Sequence, residues 1–250
     1  MLFRFLGITR RYGHNPERLS GILRIMSKFD TVLFDWMLTL AHYPTESEHL
    51  ALALKQLGRT EEPLFTAQTA RRIRDARNHP DALLACAVED TSREAHAYSE
   101  FLVYEKAGLD DELAETLYSM LGTPDFHRPY LDSQPVLRTL KDAGYAVGIV
   151  SDIHSDLRIH ATTFGWADFI DSWSLSYEQG IQKPNLQMFQ TAIDQLGCDP
   201  ARTVMVGDRG AVDGAAAELG VACLILPAID FDQPDLIRGL TLVLDFVGLS

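Results

Sequence analysis

The segment Thr31-Val-Leu-Phe-Asp-Trp-Met-Leu-Thr-Leu40 determines how this sequence folds. It opens with a short apolar run, which is typical of a strand buried on both faces of a parallel sheet. The run stops at a carboxylate, Asp35. Three later runs have the same apolar character, at residues 145–150, 203–206 and 221–226.

Helical patterns separate the later apolar runs. They cover residues 135–143, 184–196 and about 211–219, and each stops just before a glycine, a common helix terminator. Repeated strand–helix–strand units predict a parallel sheet that helices cover on both faces, with right-handed crossovers. We therefore expect an α/β fold built on a Rossmann-type parallel sheet.

Residues 45–121 interrupt this alternation with helical patterns alone. Capping boxes at 45–48 and 91–94, and a potential helix cap at Asp110, each precede apolar residues at helical spacing. A helical block inserted after the first strand predicts a cap over the α/β core. We assign the core to residues 29–44 and 122–250, the cap to 45–121, and a basic N-terminal arm to 1–28.

The proposed arm differs in charge from the rest of the chain. It carries six basic side chains against the single acid Glu17, a net charge of +5, whereas the 250-residue chain has a formal net charge of −13. The arm lacks the sustained apolar stretch of a secretory signal. We interpret it as a loosely ordered arm or as residues upstream of a start at Met26, with an electrostatic tether as the functional alternative.

The composition argues against several functional classes. The 35 acidic side chains outnumber 22 basic ones, so we expect no broad contact with nucleic-acid backbones. No apolar run approaches the ~20 residues that cross a bilayer, so we expect no membrane contact. Three widely spaced cysteines support neither a disulfide framework nor a zinc site and fit a reducing compartment, the cytoplasm. Nothing in the sequence indicates the oligomeric state.

Reactive side chains stand at or just after the ends of the predicted strands and at one helix entrance. In a parallel α/β sheet, ligands bind outside the carboxyl ends of the strands, so we expect these side chains around one crevice. The set comprises Asp35, Ser151, Asp152, Lys183, Asp208 and Asp213.

This combination suits phosphoryl transfer. A carboxylate at a strand end can attack phosphorus and form an aspartyl phosphate. A second carboxylate can hold Mg²⁺, which prefers oxygen ligands and neutralises phosphoryl oxygens. A lysine and a hydroxyl can bind those oxygens.

The ordered set of motifs resembles the haloacid dehalogenase (HAD) superfamily over about residues 30–226. The individual motifs are weak signals, and their order on the expected elements carries the resemblance. They are Phe34-Asp35-Trp36-Met37-Leu38-Thr39-Leu40, Val150-Ser151, Lys183-Pro184, and Gly207-Asp208 with Asp213.

The resemblance implies a HAD-like core with an inserted helical cap, and it assigns roles to individual residues. It makes Asp35 the nucleophile and Ser151 and Lys183 the phosphate ligands. The Mg²⁺ ligands that it implies are Asp35, Asp208 and the backbone carbonyl of Met37, with Asp213 supporting the metal or its waters.

The sequence departs from the superfamily's phosphatases at Met37, where they carry a second aspartate. That aspartate is the general acid and base, a role typically worth ~10²–10⁴ in rate, and methionine cannot transfer a proton. His42 and His154, which follow the first two motifs, are candidate substitutes with a suitable pKa range. We place these two histidines with Thr39 and Asp152 among the candidate substrate-binding residues.

Three functions are compatible with this pattern. The first is Mg²⁺-dependent hydrolysis of a small organic phosphate, an anionic substrate, through an Asp35 phosphoaspartate with an atypical general acid. The second is dehalogenase- or phosphonatase-like chemistry; the phosphonatase route would need a cap lysine, Lys55 or Lys106, whereas Asp208 and Asp213 favour metal and phosphorus over halide. The third is a non-catalytic binding or regulatory module that keeps the pocket.

Four arginines form a dense basic cluster between residues 71 and 77 of the cap. Within an acidic chain, such a cluster can recruit an anionic substrate to the crevice. The alternative is a solvated helix face paired with nearby acids. The members are Arg71, Arg72, Arg74 and Arg77.

Overall fold

The computed structural model describes residues 28–227, 229 and 237–249. The proposed basic arm lies outside these residues except for Lys28. The described strands are β1 (Thr31–Phe34), β2 (Ala41–His42), β3 (Arg128–Pro129), β4 (Ala146–Ser151), β5 (Ser172–Leu175), β6 (Thr203–Gly207) and β7 (Ala222–Ile225).

Helices occupy most of the remaining described chain. The α-helices are α1 (Glu46–Gln56), α2 (Pro63–Arg77), α3 (Pro80–Cys86), α4 (Arg93–Lys106), α5 (Asp111–Leu121), α6 (Ser133–Asp142), α7 (Leu157–Thr163), α8 (Ser176–Gln179), α9 (Leu186–Leu196) and α10 (Thr241–Val247). Short 3₁₀ helices cover Glu89–Thr91, Ala167–Phe169, Pro200–Arg202 and Asp213–Leu219. No helix within the described ranges combines the length and apolar character that a membrane crossing requires.

Five strands form one sheet in the order β5-β4-β1-β6-β7, and every neighbouring pair is parallel. β1 is central, and all four of its residues are buried, which explains its continuous apolar sequence. The predicted α/β fold with a parallel sheet is therefore confirmed. The carboxyl ends of β1, β4 and β6 lie at the same edge of the sheet.

Successive side chains of β1 point to opposite faces of the sheet, and each face has its own hydrophobic core. Val32 and Phe34 pack in a cluster with residues of α6, α7 and α10. Leu33 packs in a second cluster with residues of α9. The helices thus cover both faces, as expected for a doubly wound sheet.

β5 and the last of the predicted helices show how the core differs from the sequence prediction. β5 was not predicted, because its sequence Ser-Trp-Ser-Leu alternates small polar and apolar residues instead of forming an apolar run. Ser174 is nevertheless fully buried, and its hydroxyl donates to the Met188 carbonyl of α9 at 2.6 Å. The helix expected over about 211–219 is a 3₁₀ helix that begins at Asp213.

Helices α1–α5, which we call the helical block, enclose a separate hydrophobic cluster. At the start of α1, Thr45 and Glu48 form the predicted capping box. At the start of α4 the cap is Ser92 rather than the predicted Thr91, because the Thr91 hydroxyl donates instead to the Val88 carbonyl. Asp110 caps α5 as predicted.

The chain enters and leaves the helical block through one antiparallel ribbon. Ala41 of β2 pairs with Pro129 of β3, and His42 pairs with Arg128. The separate cluster and this paired entrance support our proposal that residues 45–121 are a cap inserted into the core.

The carboxylate of Asp132 anchors the C-terminal described segment to the core. It accepts hydrogen bonds from the backbone N–H groups of Arg238, Gly239 and Leu240 at 2.9, 2.8 and 2.7 Å. Three converging donors satisfy a carboxylate that would otherwise lose its hydration.

We predict that Asp132→Ala lowers the free energy of unfolding by about 1.5–3 kcal/mol, the usual contribution of hydrogen bonds to a charged group. Urea denaturation measures this loss. Asp142→Ala, at an exposed position of α6, is the matched control and should change stability by less than ~0.5 kcal/mol. Equal stabilities for the two variants would contradict the anchoring role.

Candidate active site

A buried lysine joins two of the sequence-predicted carboxylates beneath the sheet edge. Lys183 Nζ lies 2.9 Å from Asp35 Oδ1 and 2.6 Å from Asp213 Oδ1. All three side chains are almost completely buried. Burial opposes the charge on Lys183, but Asp35 and Asp213 raise its pKa overall. The ammonium is therefore positively charged where it meets them.

Asp213 is held from two sides. Its second carboxylate oxygen, Oδ2, accepts the backbone N–H of Arg209 at 2.9 Å. A Cβ built on Gly207 would overlap the Asp213 carboxylate, so only glycine fits at the end of β6. Both oxygens of Asp213 already accept from protein donors, which makes it a support for Lys183 and for the Asp208 loop.

Asp152 fixes the loop that carries Lys183. One of its oxygens accepts the Lys183 backbone N–H at 2.8 Å, and the other lies 3.3 Å from Nη2 of Arg209. The neighbouring Ser151 is fully buried, and its hydroxyl contacts the Asp152 carbonyl at 3.4 Å. Five of the six predicted residues, all except Asp208, thus form one hydrogen-bonded network together with Arg209.

The charges around this network do not balance. Oxygen atoms of Asp35, Asp208 and Asp213 lie within 4.8 Å of one another. Burial raises the pKa of Asp208 to about 6, and the neighbouring carboxylates of Asp35 and Asp213 add to the increase. A carboxylate cluster of this kind has the ligand chemistry that a hard divalent cation prefers.

Above the network lies a cavity of about 760 Å³ between the sheet edge and the helical block. Five of the sequence-predicted residues line it; Lys183, Asp213 and Ser151 are not among the lining residues. The five are Asp35, Met37, Asp152, His154 and Asp208.

A family model of haloacid dehalogenase-like hydrolases matches residues 29–220 of this sequence. The chain belongs to this family. The match spans the strands and loops that bring Asp35, Lys183 and Asp213 together, and the predicted relationship is confirmed.

Similar proteins include both phosphatases and dehalogenases. A glyceraldehyde 3-phosphate phosphatase from Methanothermobacter thermautotrophicus is 35% identical over 83 residues, 33% of this chain and 37% of that protein. The structure of a HAD phosphatase from Thermococcus onnurineus has a TM-score of 0.58 at 22% identity, covering 88% of this chain and 98% of that one. The structure of L-2-haloacid dehalogenase from Xanthobacter autotrophicus has a TM-score of 0.56 at 21% identity. This match covers 89% of this chain and 84% of that one. The matched part is well under half of the curated phosphatase, and the structural likenesses establish the fold alone.

The first motif of this HAD-family chain has an unusual turn. Leu38 adopts a left-handed backbone with φ 57°, a conformation that favours glycine. Arg238, itself buried, donates through Nε to the Leu38 carbonyl and through Nη2 to the Pro227 carbonyl at 2.8 Å. The contact from Arg238 helps to hold a turn that leucine alone disfavours.

Two candidate substrate-binding residues of the first motif region do not reach the cavity. His42 lies on β2, where its ring packs on Tyr130 at 5.0 Å and Nδ1 contacts the Tyr43 carbonyl at 2.9 Å. Thr39 is completely buried, and its hydroxyl has no hydrogen-bond partner among the described residues. Their neighbours Leu38 and Tyr43 do line the cavity, so it is only the buried side chains of Thr39 and His42 that do not reach it. His154 is the histidine from the motif regions that faces the cavity.

The opposite wall of the cavity comes from the helical block, and sequence reasoning found little of it. Arg77 forms an ion pair with the buried Glu100 at 2.7 Å and lies 3.7 Å from Glu46. Of the four clustered arginines, Arg74 and Arg77 line the cavity, since residues three apart share one face of α2. The three-residue spacing of Arg74 and Arg77 was therefore the sequence signal that could have identified them as neighbours on the cavity wall. The remaining lining residues of the block include His49, Glu89, Asp90, His96 and Tyr104.

We predict that Lys183→Met lowers the free energy of unfolding by about 3–5 kcal/mol, because it leaves buried carboxylates without their cation. Chemical denaturation at pH 7 measures the loss. The exposed Lys55→Met is the matched control and should stay within ~0.5 kcal/mol of the native protein. A native-like stability for Lys183→Met would show that the network is not a structural unit.

Proposed function

We propose that this HAD-family protein is a Mg²⁺-dependent phosphohydrolase that acts on small organic phosphates through Asp35. The observation that carries the proposal is the Asp35 carboxylate, which lines the cavity while Lys183 holds its Oδ1 from below. A carboxylate fixed by one oxygen in this way keeps the other for attack on phosphorus. The phosphatase activity named for the Methanothermobacter relative supports the same class of substrate.

The residues present fit a magnesium ion, since three carboxylates with oxygens within 4.8 Å supply the hard donors that it prefers. Asp35, Asp208 and the Met37 carbonyl would hold it. Asp213 would support the metal site indirectly, because its two oxygens already accept hydrogen bonds from Lys183 and the Arg209 backbone. When bound, the cation neutralises phosphoryl oxygens and so favours attack by an anion.

The chain's own residues account for the remaining steps. Asp35 attacks phosphorus, a bond forms between its oxygen and phosphorus, and the bond to the leaving oxygen breaks. Water then attacks the aspartyl phosphate: a bond forms between the water oxygen and phosphorus, the bond from Asp35 to phosphorus breaks, and both protons of the water leave on inorganic phosphate, which restores the carboxylate. The Lys183 ammonium stabilises negative charge next to Asp35 throughout.

The leaving group limits which phosphates can react quickly. Met37 lines the cavity where the family's phosphatases carry their acid, and its thioether donates no proton. Acyl phosphates release a carboxylate that needs no protonation, so they suit this site. Among the two proposed substitute acids, His154 reaches the cavity and His42 does not.

The cavity wall gives less support to phosphonatase chemistry. That reaction would need a lysine of the helical block at the substrate, but neither Lys55 nor Lys106 is among the lining residues. Lys106 lies instead 3.5 Å from Asp81 on the block. A binding module without catalysis is the remaining alternative and is an outcome of the next experiment.

We predict that the native protein, with Mg²⁺, hydrolyses acetyl phosphate and that Asp35→Asn abolishes this turnover. Met37→Asp should raise turnover of glyceraldehyde 3-phosphate, whose alkoxide leaving group needs a proton, by ~10²–10⁴, the usual contribution of a general acid. Phosphate release measures both reactions. Met37→Asn is the control, because asparagine has a shape similar to that of aspartate but cannot act as a general acid. This variant should show no increase in turnover.

Two results would contradict this proposal. Turnover that survives in Asp35→Asn would exclude this nucleophile. No turnover and no Mg²⁺ binding in any variant would favour the binding module.

Arg74 offers a separate test of how the substrate is recruited. It is exposed on the cavity wall, and the described residues give its side chain no ion pair. We predict that Arg74→Gln raises KM for acetyl phosphate about two- to fivefold with kcat unchanged, as expected for an exposed charge worth up to ~1 kcal/mol. Steady-state kinetics measure KM for both proteins, and the difference in KM should shrink as the salt concentration rises, because salt screens the exposed charge.

Arg71→Gln is the matched control, because Arg71 pairs with Asp75 and does not line the cavity. An equal rise in KM for both variants would mean that net charge, not the cavity wall, attracts the substrate.

A further inference from the structure

The turn after Asp35 holds a leucine in a conformation that leucine rarely adopts. Leu38 has φ 57°, in the left-handed region. This region crowds the Cβ atom against the following carbonyl oxygen and lowers the population of the conformation about 5- to 30-fold. Leu38 lines the cavity, and so does Met37 before it. Contacts from other residues must therefore compensate for the cost of this turn.

Hydrogen bonds hold the peptide groups on both sides of Leu38. On one side, the Leu38 N–H donates to the Ala41 carbonyl at 2.7 Å. The carbonyl and N–H of a trans peptide point in opposite directions, so the Met37 carbonyl is directed away from Ala41. On the other side, the Leu38 carbonyl accepts from Nε of Arg238. A return of Leu38 to the right-handed region would turn one of these peptide groups and break its hydrogen bond.

Arg238 is itself buried and held at three points. Its backbone N–H donates to Asp132 at 2.9 Å. Its side chain donates through Nη2 to the Pro227 carbonyl at 2.8 Å while Nε donates to Leu38. A guanidinium donates in two fixed directions at once, so Arg238 joins the turn after β1 to the segment after β7.

We propose that Arg238 is a positioning residue that keeps the Met37–Leu38 peptide in the orientation required at the cation site. Its effect on that site rests on the proposed function, in which the Met37 carbonyl is a Mg²⁺ ligand. Arg238 is not among the residues that line the cavity, so it acts through Leu38 and does not touch the substrate. A distant arginine thus replaces the conformational freedom that glycine would have in this turn.

The charge of Arg238 should have the opposite effect from its hydrogen bonds. Burial lowers the pKa of Arg238, and Asp208 is among the groups that oppose this shift, so the guanidinium lies within electrostatic range of the carboxylate cluster. A positive charge there repels a metal ion, and its removal alone should tighten Mg²⁺ binding. A loss of Mg²⁺ affinity on removal of Arg238 therefore measures positioning and not charge.

Hydrogen exchange at the amide of residue 38 tests the positioning without any metal. In the full chain, Arg238→Met should lower the protection factor of this amide about 5- to 30-fold, because the strained turn loses one of its two hydrogen bonds. In a Leu38→Gly background the same change should cost less than about twofold, because glycine adopts the left-handed conformation without strain. Protection factors remove the intrinsic difference in exchange rate between leucine and glycine.

Titration calorimetry with Mg²⁺ gives the second readout. Arg238→Met should raise the Mg²⁺ Kd about 5- to 30-fold with Leu38 present and less than about twofold with Leu38→Gly. Arg238→Lys keeps the charge but cannot donate in two fixed directions, and it carries the same comparison should Arg238→Met not fold. Arg138→Met is the matched control and should change neither readout, because Arg138 is exposed on α6, where its guanidinium lies over the Phe169 ring at 5.3 Å.

Three results separate the possible roles of Arg238. Equal losses of protection with leucine and with glycine at residue 38 would overturn the proposal, because Arg238 would then support the fold without acting through Leu38. Tighter Mg²⁺ binding in Arg238→Met would also overturn it, since that is the effect of charge alone. Native protein that binds no Mg²⁺ would count against the proposed function, and the exchange comparison would still decide whether Arg238 holds the turn.

Discussion

The ammonium of Lys183 sits between two carboxylates in a place that water does not reach. Removing an ammonium from water is costly, and here Asp35 and Asp213 offset that cost at 2.9 and 2.6 Å. The three residues come from the end of β1, the loop before α9 and the start of the last 3₁₀ helix. This interaction therefore requires distant segments of the chain to meet, and it requires the strand ends to lie level at one edge of the sheet.

Several neighbouring features follow from that requirement. Gly207 leaves room for the Asp213 carboxylate, and Asp152 fixes the Lys183 backbone. With Asp213 occupied by donors, Asp208 faces the cavity, where burial and then the neighbouring carboxylates raise its pKa to about 6. The same packing that satisfies Lys183 thus leaves unbalanced negative charge above it, which is a property of a cation site. Stability and the proposed chemistry depend on one set of contacts.

The sequence predicted the sheet and its motif residues because each buried strand is a local apolar run that stops at a polar side chain. β5 was not predicted because the hydroxyl of its buried Ser174 is satisfied by α9, a contact between segments that no local pattern reports. His42 does not line the cavity, because it lies in the β2–β3 ribbon, whose pairing with residues about 90 positions away no local pattern reports. The wall formed by the helical block, including His96, has the same origin, because it depends on packing between distant segments. Local patterns gave one side of the cavity, and tertiary packing supplied the other.

The ribbon of β2 and β3 also bears on how such a protein can change over time. Both connections to the helical block run side by side, so the block is attached at what amounts to a single point on the core. An exchange of the block for another of different length would leave the path of the parallel sheet intact. It would replace Arg74, Arg77, Asp90 and His96 together while Asp35, Lys183 and Asp213 stayed in place. The architecture therefore lets the helical wall of the cavity diverge in one recombination step without rebuilding the Asp35 network.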